Sequence, residues 1–305
     1  MVSDLKTKIY VQNWEFFKLS FYIPDSIAMT FFLLSFANRA YIAKYVEFQF
    51  NTSPSAASLF SGSSTMLGAI TALVISIVVI SWFKPSARAL ALFNVFADVC
   101  YMIIGFSFIA VSCDHSGINR GCETDCQCSS QFKPVCDTQA QQTYFSACSA
   151  GCTGSNGTVL MDCSCSESPT LSPGYCHTDC NTPLMAFLVT QFVLNFIAAL
   201  GRVGNLLVHV RCVEKQDKAL GMAIQEVFLA LFAFIPGEII FGSLVDSACT
   251  LWADTGCGTT GNCLSYDTFD LRAKIFGVAS TAAALAAFFD GMVWHGVKNL
   301  NLYEN

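Results

Sequence analysis

Ala56-Ala-Ser-Leu-Phe-Ser-Gly-Ser-Ser-Thr-Met-Leu-Gly-Ala-Ile-Thr-Ala-Leu-Val-Ile-Ser-Ile-Val-Val-Ile-Ser-Trp-Phe83 contains no charged side chain. A hydrocarbon layer about 30 Å thick asks a helix for about 20 consecutive apolar residues, and this run exceeds that. Lys84, Pro85 and Arg88 follow at once and close it in a tight polar turn. A second block, Pro183 to Gly201, is equally uncharged. Working outward from these two, six blocks are long and apolar enough to span a bilayer: 23–43, 60–83, 89–112, 183–201, 219–245 and 275–297. The 305 residues are 53% hydrophobic and 12% charged, against about 25% charged in an ordinary soluble domain. The expected fold class is therefore an all-α polytopic membrane protein of six transmembrane helices carrying a small disulfide-rich insert.

The organisation that follows is an N-terminal arm over 1–22, helices over 23–112, a cysteine-rich domain over 113–182, helices over 183–297 and a tail over 298–305. Asp4, Lys6, Lys8, Glu15 and Lys18 break up the first residues, so no cleavable signal peptide is expected and insertion falls to the first span. The lysines and arginines set the orientation. Lys6, Lys8, Lys18, Lys84, Arg88, Arg202, Arg211, Lys215, Lys218 and Lys298 share one face, against Lys44, Arg120, Lys133, Arg272 and Lys274 on the other. That imbalance places both termini in the cytoplasm.

Cysteines vote the same way. Of sixteen, eleven lie in one segment: Cys113, Cys122, Cys126, Cys128, Cys136, Cys148, Cys152, Cys163, Cys165, Cys176 and Cys180. Such density belongs to an oxidising exterior. Cys249, Cys257 and Cys263 sit in the last loop on the same face. Eleven is odd, so full oxidation would require a bridge between the two loops. Asn51 and Asn156 open Asn-X-Ser/Thr glycosylation triplets, also on that face.

The net charge of −6 and the absence of a basic run exclude nucleic acid as a partner. No Walker-type loop and no Gly-x-Ser-x-Gly turn is present, so neither nucleotide-driven pumping nor hydrolysis is expected, and the chain does not read as an enzyme. His115, His177, His209 and His295 are scattered, which yields no zinc-type spacing, no metal site and no cofactor. The lipid bilayer is the one partner that composition demands.

Within the insert, Cys128-Ser-Ser-Gln-Phe-Lys-Pro-Val-Cys136, then Thr143-Tyr-Phe145 and Cys148-Ser-Ala-Gly-Cys152, resembles a Kazal-type domain. Few large aliphatics accompany these cysteines, so cross-links are expected to stand in for a hydrophobic core. A Kazal-like insert between two membrane helices resembles the organic anion transporting polypeptides of the major facilitator superfamily. Lys44-Tyr-Val-Glu-Phe-Gln-Phe50 is similar to the end of a span in that family. Ile235-Pro-Gly-Glu-Ile-Ile-Phe-Gly-Ser-Leu-Val-Asp246, followed by Cys249, Trp252, Cys257 and Gly261-Asn-Cys263, is similar to another span and its cysteine loop, and Arg211 to Gly221 resembles the loop before it. The resemblance implies twelve spans in two pseudo-symmetric halves, with this chain equivalent to the C-terminal half. It implies secondary, sodium-independent transport of amphipathic organic anions or sterol-like solutes across the plasma membrane by alternating access. One half supplies one wall of a midplane site, so the chain is expected either to be part of a longer protein or to pair with a second half-transporter.

Charged groups inside spans are costly and are functional candidates by default. Arg39, Asp98, Glu226, Glu238 and Asp290 are the candidate substrate or translocation residues. The plainer alternative is that Asp98 and Asp290 pair with neighbours to fix helix packing, while Arg39 and Arg202 snorkel to headgroups. Ala230 aligns where the family usually carries an arginine, and Glu238 where it carries a proline. These departures leave anion binding through the fifth span in doubt. The competing function is a membrane-anchored Kazal module acting as a protease inhibitor or adhesion site.

Overall fold

The computed structural model describes residues 23–113, 118–119, 132–156, 159–176, 180–212, 218–254 and 260–297. Six helices are long and apolar enough to cross a membrane: α1 (Ile23–Gln49), α2 (Pro54–Phe83), α3 (Ala87–Phe108), α4 (Asn181–Cys212), α5 (Lys218–Ser247) and α6 (Thr268–Gly296). Their starts are written locally. Ser53, Ser86 and Asp267 each cap a first turn by accepting an N–H three residues on, from Ala56, Ala89 and Asp270. Lys84 ends α2 in the left-handed conformation, with φ of 43°.

The helices overrun the hydrophobic blocks, most at the end of α1 and α4 and at the start of α6. Hydropathy stops at the first charge. Backbone hydrogen bonding does not, and the helix continues into the interface, where Lys44, Arg202 and Arg272 are tolerated.

Two spans are interrupted. Residues 37–38 form a turn within α1, and the carbonyl of Ser35 there accepts the hydroxyl of Tyr101 at 3.2 Å. In α5, Pro236 has no N–H to give, and the turn before it widens into a π-helical segment, Ala230–Phe234, closed by the N–H of Ile235 on the carbonyl of Ala230. The two irregularities face each other. A Cβ on Gly237 would stand 2.7 Å from that of Ala37, so only glycine permits this approach. The hydroxyl of Tyr41 bridges the same contact, donating to the carbonyl of Glu238 at 3.2 Å.

α2 packs on α4 through a stripe of small buried residues: Ala57, Ser61, Ser64, Gly68, Ala72 and Ser76. Its large apolar residues, among them Met66, Leu67, Ile70 and Ile77, point outward. α3 packs on α6 and α4. The main core is aromatic and lies toward the insert, where Tyr45, Phe50, Phe108, Phe187 and Phe276 have ring centres 4.9–6.2 Å apart.

The insert folds as a five-stranded antiparallel sheet in the order β2-β1-β5-β4-β3, from β1 (Val135–Asp137), β2 (Gln142–Tyr144), β3 (Cys152–Asn156), β4 (Val159–Cys163) and β5 (Thr170–Pro173). Cys113–Cys180 ties its base to α3 and α4, and Cys136–Cys176 and Cys152–Cys163 staple the sheet. Cys148 and Cys165 are also disulfide-bonded. The module has a small core after all, with Val135, Tyr144, Ala150 and Leu171 buried together. A hairpin of β6 (Cys249–Asp254) and β7 (Thr260–Tyr266) joins α5 to α6 under the Cys249–Cys263 bridge. Cys122, Cys126, Cys128 and Cys257 lie outside the described residues, and with them the question of a bridge between the loops.

Candidate functional site

Two arginines, Arg39 half-buried and Arg202 exposed, meet over one aromatic wall. Arg39 follows the turn in α1, and its guanidinium carbon sits 4.0 Å from the ring centre of Phe36. Arg202 of α4 reaches the same rings, 5.2 Å from Phe32 and 5.6 Å from Phe36. Such stacking holds a planar cation without neutralising it. Arg39 Nη2 donates to Asn195 Oδ1. Asn195 is oriented in turn by its own Nδ2 donating to the carbonyl of Gln191 at 2.7 Å. Arg39 Nε is buried and has no hydrogen-bond partner among the described residues.

Arg202 also lines a narrow cleft, about 10 Å³ in volume, with Phe32, Asn94, Asp98, Asn205 and Asp290. Its lining residues come from the part of the bundle away from the insert. Asp98 and Asp290, 2% and 5% exposed, come from α3 and α6 and both line this cleft. Behind them Asp25 of α1 meets His209 Nδ1 of α4 at 2.8 Å, both buried. Ser26 donates to Gln225 of α5 at 3.0 Å. Among the described residues no group of three His, Cys, Asp or Glu side chains has metal-binding geometry.

Of the five candidates, the structure brings together Arg39, Asp98 and Asp290. Glu226 and Glu238 are exposed on α5, away from the cleft. Asn51 has φ of 50°, and its side-chain amide donates to the carbonyl of Cys176 at 2.8 Å. The side chain of Asn156 lies outside the described set, as do residues 129–131 of the Kazal-like stretch.

Sequence reasoning passed over Asp25, Asn195, Asn205 and His209, and treated Arg202 as an end-of-span cation. The signal was present. Gln191, Asn195, Arg202, Asn205 and His209 recur at spacings of three, four and seven, which is one polar stripe along a helix. A charge count alone misses it because three of the five residues are amides.

Residues 7–271 match the model of the Organic Anion Transporter Polypeptide (OATP) family. The chain is 30% identical over 287 residues to "Solute carrier organic anion transporter family member 74D" of Drosophila melanogaster, covering 86% of this chain and 34% of that protein. It is 28% identical over 283 residues to member 4C1 of Mus musculus, covering 83% and 39%, and 29% identical over 291 residues to member 1A2 of Homo sapiens, covering 83% and 43%. The chain thus spans less than half the length of the curated relatives it matches.

Proposed function

The chain belongs to the organic anion transporter polypeptide family, and from that premise we propose that it forms one wall of a plasma-membrane carrier for amphipathic organic anions. The observation that carries this is Arg39 and Arg202 stacked over Phe32 and Phe36. Two fork-shaped donors suit a carboxylate or sulfate, and the rings beside them suit an apolar body such as a steroid. The cation absent at Ala230 of α5 is made up from α1 and α4, which favours an anion over a neutral sterol.

The carrier works by alternating access without sodium, with termini cytoplasmic and the disulfide-linked insert outside. Its second wall comes from another six-helix half. The small stripe and outward apolar face of α2, together with the exposed face of α5, fit helices that meet lipid or that other half. The insert's five-stranded sheet sits on this bundle as an appendage, and six spans with buried charges exceed what an anchored inhibitor needs.

The test is uptake of a labelled steroid sulfate into vesicles holding this chain with an N-terminal half of a relative, beside binding of the same compound to the chain alone in nanodiscs. Replacing Arg39 and Arg202 by Gln should lower both by about tenfold or more, since a charge-assisted hydrogen bond contributes about 1.5–3 kcal/mol. Unchanged binding and uptake in the double variant would overturn the reading.

A further inference from the structure

Two neighbouring carboxyl groups can be bridged by a hydrogen bond only when one of them carries a proton, because an ionised carboxylate only accepts. Asp98 and Asp290 are both buried and line the same cleft. Asp98 is 2% exposed and lines the cleft, and its buried Oδ2 has no hydrogen-bond partner among the described residues. Asp25, 1% exposed, likewise has an unpartnered Oδ1, and it lies close enough to act electrostatically on Asp290.

We propose that Asp98 and Asp290, with Asp25 and His209 behind them, form a proton-binding site that opens through the cleft. The charged groups around the pair are Arg202 of α4, which lines the same cleft, and Asp25 of α1, which acts on Asp290 and is itself paired with His209 of α4. Among the described residues α2 and α5 add none to the cleft lining. A proton enters by way of the cleft, which is polar enough for water, and rests between two oxygens of Asp98 and Asp290. It leaves by the same oxygens, returning the pair to mutual repulsion. No bond other than O–H forms or breaks. The site spans four helices, so its occupancy tells α1 how α3 and α6 are placed. Asp25 sits on the part of α1 before the turn at 37–38, next to the segment that carries Phe32 and Phe36 under the arginines. Losing the proton therefore pushes on the helix that forms the aromatic wall. The proton site stands on this geometry alone. Its link to substrate movement rests on the carrier reading above.

Infrared spectroscopy of the chain in nanodiscs tests it without any transport. At neutral pH the unaltered chain should show the C=O stretch of a protonated carboxyl, shifted in heavy water and lost on raising the pH. Asp98→Asn and Asp290→Asn should each remove that band, whereas Glu226→Gln, on the exposed face of α5, should leave it. A chain with no such band at neutral pH, or a band that survives both replacements, overturns the proposal, and the unaltered chain decides the matter if the variants fail to fold. In uptake vesicles, an imposed pH gradient should alter the rate several-fold in the unaltered carrier and not in Asp98→Asn. A band present with uptake indifferent to pH would retain the proton site and sever its link to transport. Loss of uptake on replacing the arginines would leave the band in place, so the two readings fail separately.

Discussion

At the scale of the residue, Asp137 shows what a buried carboxylate needs outside the membrane. It closes β1 with no exposure. It accepts from the N–H groups of Gln139 and Ala140 at 3.0 and 3.1 Å, and from the N–H and hydroxyl of Ser168 at 3.1 and 2.6 Å. Burial alone would raise its pKa, but these four donors outweigh it and hold the carboxyl below the usual carboxylate range. A depressed folded value gives stability that is complete above the unfolded value, about pH 4, and that is lost as pH falls through the lower folded value. Proteolysis of the insert in the intact chain should therefore speed up on acidification in that window. Asp137→Asn should cost about 1–3 kcal/mol at neutral pH and flatten the acid profile. A variant with the parent's acid profile would remove Asp137 as its source. This role is not legible from the residues alone, since Asp137 follows a cysteine like any loop acid and its donors come from a turn and from Ser168, thirty-one residues on.

At the scale of the element, the six spans were legible because lipid imposes a length and a composition that few other environments do. Their ends were less so, because helical hydrogen bonding outlasts the apolar run in α1, α4 and α6. The five short strands of the insert left no periodic trace, being set by cysteine pairing and turns. Legible but unweighted was the small stripe of α2, which the structure turns into a close contact with α4. A Cβ on Gly68 would stand 2.9 Å from the backbone oxygen of Phe192 and 3.2 Å from the backbone N of Phe196, and main chain cannot give way as a side chain does. Gly62, on the same helix, has nothing within 4 Å. Gly68→Ala should push α2 from α4 and cost about 1–3 kcal/mol, seen as a lower Tm in detergent. Gly62→Ala should cost nothing and gain some helix propensity. Equal effects at both positions would show that the contact between these helices does not set stability.

At the scale of the whole molecule, the bundle is polarised along its axis. The aromatic core, the disulfide-linked insert and the β6–β7 hairpin occupy one end, and the cleft lined by Asp98 and Asp290, with the Asp25–His209 pair nearby, lies toward the other. The candidate site was half legible for the same reason: charges inside spans announce themselves, whereas the partners that organise them, Asn195 for Arg39 and the rings of Phe32 and Phe36, are ordinary residues until the helices pack. Polarity along the axis also ties orientation to chemistry. By the positive-inside count the cleft end is expected in the cytoplasm, and the disulfides at the opposite end, among them Cys113–Cys180, Cys136–Cys176, Cys152–Cys163 and Cys249–Cys263, call for an oxidising exterior. In intact cells a membrane-impermeant maleimide should label the insert only after an impermeant reductant has been applied from outside. Cys100, the free thiol within α3, should stay unlabelled throughout. Labelling of the insert that needs no reductant, or that appears only once the membrane is permeabilised, would place those sulfurs in the cytosol and turn the cleft, with its proton site, toward the exterior.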